Sequence, residues 1–240
     1  MAVLFGIAAG AWAADKPLPS DQEIGDRITS ANAQSKSNLS HYSVIRTYKL
    51  HSSRLAKDAT MTVRLEYNGK GASYEVQSVE DASFVSKKVL NKIIESEAEA
   101  SRKEGELDIV NANYRFHVVG TATQNGAACY IVDLIPKRSS RYLLQGKAWV
   151  DQAEFAIVRL EGRPAANIGF GAGKPYLVID FQRVGPFWMA AHNRSETHSF
   201  LFGSSVLTVD FSGYDIPSSS FKTVTTAAAR NNRQIARATQ

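Results

Sequence analysis

Met61-Thr62-Val63-Arg64-Leu65-Glu66-Tyr67 alternates apolar and polar side chains without a break, and Asn68-Gly69 follows at once. A period of two puts Met61, Val63, Leu65 and Tyr67 on one face of a strand and Thr62, Arg64 and Glu66 on the other. One buried face and one wet face mark an antiparallel sheet. Asn-Gly accepts the positive φ angles of a two-residue hairpin turn, so Ser73 to Val79 reads as the returning strand. Upstream, Tyr42 to Leu50 repeats the pattern. Tyr42, Val44, Tyr48 and Leu50 share a face, with Arg46 the charged exception among them.

The same signals continue downstream. Tyr114 to Val119 and Cys129 to Ile135 flank Asn125-Gly126, and Tyr142 to Asp151 and Phe155 to Glu161 flank Gln152-Ala153-Glu154. Gly162 to Gly173 is glycine-rich and reads as a long loop. Tyr176 to Val184, Phe187 to Asn193, Ser195 to Phe202 and Val206 to Tyr214 complete the strands, with Gly185-Pro186 and Gly203-Ser204 as turns. Two segments follow a helical period. Asp21 to Lys36 has Ser20 or Asp21 as cap and Ile24 and Ile28 on one face. Ala82 to Lys103 carries a stripe of Phe84, Val85, Val89, Ile93 and Ile94, with Gly105 placed to end it. About ten strands and two helices predict a mainly β, α+β fold: a curved antiparallel sheet, or unclosed β-barrel, wrapped around its helices. Residues 14–216 form this single domain.

The chain has 240 residues, of which 44% are apolar and 21% charged. That supports one sizeable core and excludes a disordered chain. Val3 to Trp12 is a short apolar run, and Ala11-Trp12-Ala13 has the small-x-small form of a processing site. Residues 1–13 therefore read as a signal peptide, and the mature protein as periplasmic. No cysteine follows to carry a lipid anchor. Residues 217–240 hold Lys222, Arg230, Arg233 and Arg237, and no acid occurs after Asp215. This reads as a mobile basic tail able to touch anionic membrane. The net charge of +5 is diffuse, and without an arginine–aromatic stripe no nucleic-acid partner is expected.

No motif marks an enzyme. His41, His51, His117, His192 and His198 lack metal-ligand spacing, though His192 and His198 could face one side. Ser195-Glu196-Thr197-His198 holds triad-type residues, but adjacency in sequence is not triad geometry. Gly169 to Gly173 lacks the Lys-Ser/Thr of a phosphate-binding loop. Cys129, alone in the chain, lies in a strand-like run and reads as a small buried residue. The expectation is no catalytic residue, no cofactor and no metal. Arg159 and Glu161, two apart on one strand, are candidates for an ion pair. The later strands, by contrast, are loaded with large apolar side chains: Trp149; Leu177, Ile179 and Phe181; Trp188; Phe200 and Phe202; Leu207, Val209 and Phe211. If these ten converge they line a concave apolar wall suited to an acyl chain, each buried methylene contributing about 0.8 kcal/mol.

Three runs carry a resemblance: Cys129 to Lys137 ending in Leu134-Ile135-Pro136-Lys137, Gly146 to Asp151 containing Trp149-Val150-Asp151, and Ile157 to Gly162 ending in Glu161-Gly162. Val184-Gly185-Pro186-Phe187-Trp188-Met189-Ala190 follows as a hairpin, with Ala190 where proline is common. From Tyr114 to Tyr214 the pattern resembles periplasmic outer-membrane lipoprotein-sorting proteins of the LolA/LolB-like kind, including RseB-like N-terminal domains. The resemblance implies an open barrel half-wrapped around helices. It also implies a hydrophobic cavity for lipoprotein acyl chains or another lipid, or a sensor or adaptor that binds an envelope membrane protein through the same fold.

Overall fold

The computed structural model describes residues 17–54, 57–103, 105–168, 174–199 and 203–218. Helix α1 (Asp21–Asn38) precedes strands β1 (Tyr42–Ser52), β2 (Ala59–Tyr67) and β3 (Ala72–Glu80). Helix α2 (Phe84–Ser101) follows, then β4 (Tyr114–Gln124), β5 (Ala127–Pro136), β6 (Leu144–Asp151) and β7 (Ile157–Pro164). The last strands are β8 (Tyr176–Val184), β9 (Phe187–Ser199) and β10 (Gly203–Asp215).

All ten strands form one antiparallel sheet in the order β3-β2-β1-β10-β9-β8-β7-β6-β5-β4. Strands β4 to β10 run up and down, β10 pairs with β1, and β1 to β3 continue the meander. Strands β3 and β4 are the two edges and do not pair, so the barrel stays unclosed. Helix α2 and the segment after it carry the chain from one edge to the other.

Local chemistry sets the elements. Ser20 caps α1 by accepting from the Glu23 N–H at 3.1 Å, and Ser83 caps α2 by accepting from Ser86. Asn125 and Gly126, with φ of 50° and 81°, make the left-handed pair that a tight β4–β5 hairpin needs. Gly146 faces Gly162 across β6 and β7. A Cβ on Gly146 would lie 1.9 Å from the Glu161 carbonyl oxygen, so only glycine lets these strands approach so closely.

Two sequence boundaries move. Phe187 to Ser199 is one strand rather than two, and β7 runs through Gly162 to Pro164, into the expected loop. Residues 169–173, residues 1–13 and all but the first two residues of the basic tail lie outside the described residues.

The concave side holds two apolar cores. One gathers Ile24 and Ile28 of α1 with Tyr114 and Phe116 of β4, Val132 and Leu134 of β5, and Ala148, Val150 and Leu160. The other gathers Leu90 of α2 with Val44, Tyr48, Met61, Val63, Leu65, Val209 and Phe211.

Candidate functional site

Of the ten apolar residues expected to line one hollow, six are divided between these cores. Leu177, Ile179 and Phe181 on β8 pack against the α1 core. Val209 and Phe211 belong to the α2 core, and Leu207 packs against it. The register shows what separates them. Asn193 of β9 lies between Ile179 and Val209, and Ser195 between Leu177 and Leu207. A polar row on β9 thus replaces the continuous wall. Trp149 is on the opposite face: Ala148 and Val150 beside it are buried, and alternation turns Trp149 outward. There its ring lies 5.6 Å from the Arg159 guanidinium. Arg159 bonds both Glu161 and, across to β8, Asp180. Phe200 and Phe202 lie outside the described residues. Trp188 stands at the rim of a groove.

That groove arises from a change along α1. Ile24 and Ile28 are buried and fill the space beneath the helix's first half. One and two turns on, the same stripe carries Ala31 and Ser35, which are too short to reach the sheet. The space left open between α1, the β6–β7 turn and the β8–β9 hairpin measures about 940 Å³, and Ile157, Leu160, Phe181 and Phe187 line it. The rim is polar. Arg183 pairs with Glu154 and Trp188 donates to the same carboxylate at 3.1 Å. Lys36 pairs with Asp108 at 2.7 Å.

Phe155 forms one wall, half-buried at φ 56°. A bulky residue in the left-handed region costs roughly 1 kcal/mol or more. Its turn is held by Asp151, whose carboxylate accepts from Ala153 and Glu154 and whose carbonyl accepts from Phe155. The ring stacks on Tyr130 at 6.1 Å and lies under the Arg27 guanidinium at 5.0 Å.

The α2 core is closed by a charged cluster. Arg46 donates to Glu97 of α2 at 2.8 Å, and the Tyr48 hydroxyl donates to the same oxygen at 2.7 Å. The guanidinium is also 4.9 Å from the Phe211 ring and 5.6 Å from Tyr74. Burial alone would lower the Arg46 pKa, but Glu97 and the two tyrosines outweigh it and raise it above its usual value. Burial pushes Tyr74 up to about 12 and Tyr48 further still. Among the described residues the Arg46 Nε has no hydrogen-bond partner, and neither has the Asn193 Oδ1.

The remaining candidates are dispersed. His192 Nδ1 lies 2.7 Å from Asp210, and His198 Nδ1 lies 3.1 Å from Ser204. Among the described residues no group of three or more His, Cys, Asp or Glu is placed to hold a metal. Cys129 is buried, and burial raises its thiol pKa. Sequence reading missed Phe155, Ile157 and Leu160 as groove residues. The available signal was Ala31 and Ser35, small residues on a stripe that begins with isoleucines.

No protein-family model matches the sequence. No curated protein matches it either. Solved structures are similar to it at low identity. A DUF1329 family protein from Desulfovibrio piger is 12% identical over 88% of this chain and 99% of that one, with a TM-score of 0.46. An outer membrane lipoprotein-sorting protein domain from Vibrio parahaemolyticus is 11% identical over 89% and 98%, also with a TM-score of 0.46. A LolA superfamily protein from Nitrosomonas europaea is 11% identical over 86% and 99%, with a TM-score of 0.36. At these values no function passes from one protein to another.

Proposed function

We propose that this chain is an exported, periplasmic binding protein or carrier that holds the acyl chain of a lipoprotein or another lipid between α1 and the sheet. The observation that carries this reading is the groove itself. Its floor of Ile157, Leu160, Phe181 and Phe187 is apolar, and the helix above presents Ala31 and Ser35 where larger side chains would fill the space. A volume of about 940 Å³ lies in the range of ligand sites, roughly 300–1,000 Å³. An acyl chain there is held by desolvation, and the charged pairs stay at the rim in water. We assign the groove no catalytic step.

Native mass spectrometry of the full chain from envelope fractions tests this, with Ala31→Leu and Ser35→Leu as groove-filling variants. Each should keep the fold and raise stability by about 1 kcal/mol, because a leucine now covers the floor. Both should lose the bound lipid mass of the parent. A parent that carries no lipid, or variants that keep it, would sink the reading.

A second reading is an adaptor for an envelope protein partner. It is favoured by the two sheet edges, β3 and β4, each paired on one side only. A pull-down from envelope extract in which edge-strand proline variants lose a partner, while lipid content stays unchanged, would favour it.

A further inference from the structure

The first turn of α2 shows solvent what a soluble helix normally hides. Phe84 is 84% exposed and Val85 45%. The turn is nonetheless fixed in place. Ser83 caps it, Ser86 is buried beneath it, and Leu90 anchors the next turn in the α2 core. Lys87 and Lys88 follow, both exposed. Farther along the lysines are engaged: Lys92 pairs with Glu95, and Lys103, just past the helix, with Glu99. Neither Lys87 nor Lys88 has a carboxylate partner among the described residues, and the first turn contains no acid.

We infer that this turn is a membrane-contact surface for an anionic lipid bilayer. Phe84 and Val85 enter the boundary between head groups and acyl chains, and Lys87 and Lys88 meet lipid phosphates. Two unpaired ammonium groups beside an apolar pair match a surface that is negative outside and apolar within. A purely apolar protein partner would cover Phe84 and leave both charges uncompensated. The inference does not rest on the groove's being a lipid site, because the turn and the groove lie at different helices.

Vesicle flotation of the full chain tests it, with phosphatidylglycerol–phosphatidylcholine vesicles against phosphatidylcholine alone. The parent should float with the anionic vesicles and release at high salt. Phe84→Ser should weaken that partition about tenfold, as expected for removing one buried phenyl group. Lys87→Glu with Lys88→Glu should weaken it at least as much. All variants should melt with the parent, since the changed side chains are exposed. Phe84→Trp supplies a direct readout: vesicles of brominated lipid should quench its emission beyond the quenching of the parent's own tryptophans. Unchanged partition in the serine and glutamate variants, with no added quenching of Trp at 84, would overturn the inference. So would a Phe84-dependent shift in oligomeric state without vesicle binding, which would identify a second copy of the chain as the occupant.

Discussion

Both helices lie on the concave side of one sheet, yet they meet it in opposite ways. Helix α1 is pinned by polar contacts at its flanks. Asp21 accepts from the Val118 N–H at 2.9 Å and lies 3.0 Å from His117, and Asn32 donates to the Ile109 carbonyl at 2.8 Å. Held in this way, its C-terminal half need not pack, and the groove opens beneath Ala31 and Ser35. Helix α2 buries Leu90 and Ser86, packs Val89, Ile93 and Ile94 against the same core, and is tied again on its sheet-facing side where Glu97 meets Arg46 and Tyr48. A helix fastened at its edges can leave room for a guest. A helix fastened by a buried charge takes that charge's partner away if it lifts.

The largest expected effect breaks this contrast on the α2 side. Glu97→Ala leaves Arg46, whose side chain is 15% exposed, with an uncompensated charge. Removing one partner of a buried pair costs about 3–5 kcal/mol, and partial exposure of Glu97 places the expectation near the lower end, about 3 kcal/mol. Chemical denaturation should show it as a lower midpoint with an unchanged slope. Adding Arg46→Leu should restore most of the loss, because the leucine joins Tyr74 and Phe211 in an apolar site. If the single variant unfolds with the parent, the cluster does not hold α2, and the distinction between the helices fails.

The sheet was largely legible in the sequence, because a period of two and an Asn-Gly turn are short-range signals. Met61 to Tyr67 and Asn125-Gly126 needed no tertiary information. Arg46 was visible as a break in alternation, but its partner was not, since Glu97 is 51 positions away. The sequence pattern predicts two strands, Phe187 to Asn193 and Ser195 to Phe202, where the structure has the single strand Phe187–Ser199. Asn193 is polar because β9 spans the gap between two cores. Neither its size nor the motif it sits in told which face of β6 Trp149 takes; in β6 the small residues Ala148 and Val150 face inward, where the Gly146–Gly162 approach brings the strands close. The groove was hardest to read, because small residues at Ala31 and Ser35 continue the stripe of Ile24 and Ile28 but do not say whether the sheet fills the space beneath them.

A smaller effect sharpens the comparison through alkaline pH. Tyr74 ionises near 10 when unfolded but is pushed up to about 12 in the fold by burial. The native state therefore resists losing a proton that the unfolded chain gives up. Its stabilising contribution is present below pH 10 and is lost as pH rises from about 10 to about 12. Tyrosinate absorbance should show a late-titrating fraction that ionises together with loss of the α2 core. In Glu97→Ala that fraction should shrink. Tyrosines that titrate together near 10, with the fold intact, would contradict the buried cluster.

The smallest effect belongs to the α1 side, at the contact of Asp21 with His117. Their hydrogen bond raises the His117 pKa above 6.5 and lowers that of Asp21 below 3.8. The histidine's contribution is full below 6.5 and is lost as pH climbs through its raised folded value. The carboxylate's is full above 3.8 and is lost as pH falls through its lowered folded value. The pair is thus most effective between 3.8 and 6.5. Both side chains are more than half exposed, so salt and water screen the gain. Thermal melts should show a slight fall in stability from pH 6 to pH 8 that His117→Ala abolishes. The Asp21 carboxylate still holds the Val118 N–H, so α1 should stay attached and lipid occupancy should change little between the two pH values. A large pH-dependent release of lipid that vanishes with His117→Ala would mean that this surface pair, and not the backbone contact beside it, keeps α1 over the groove.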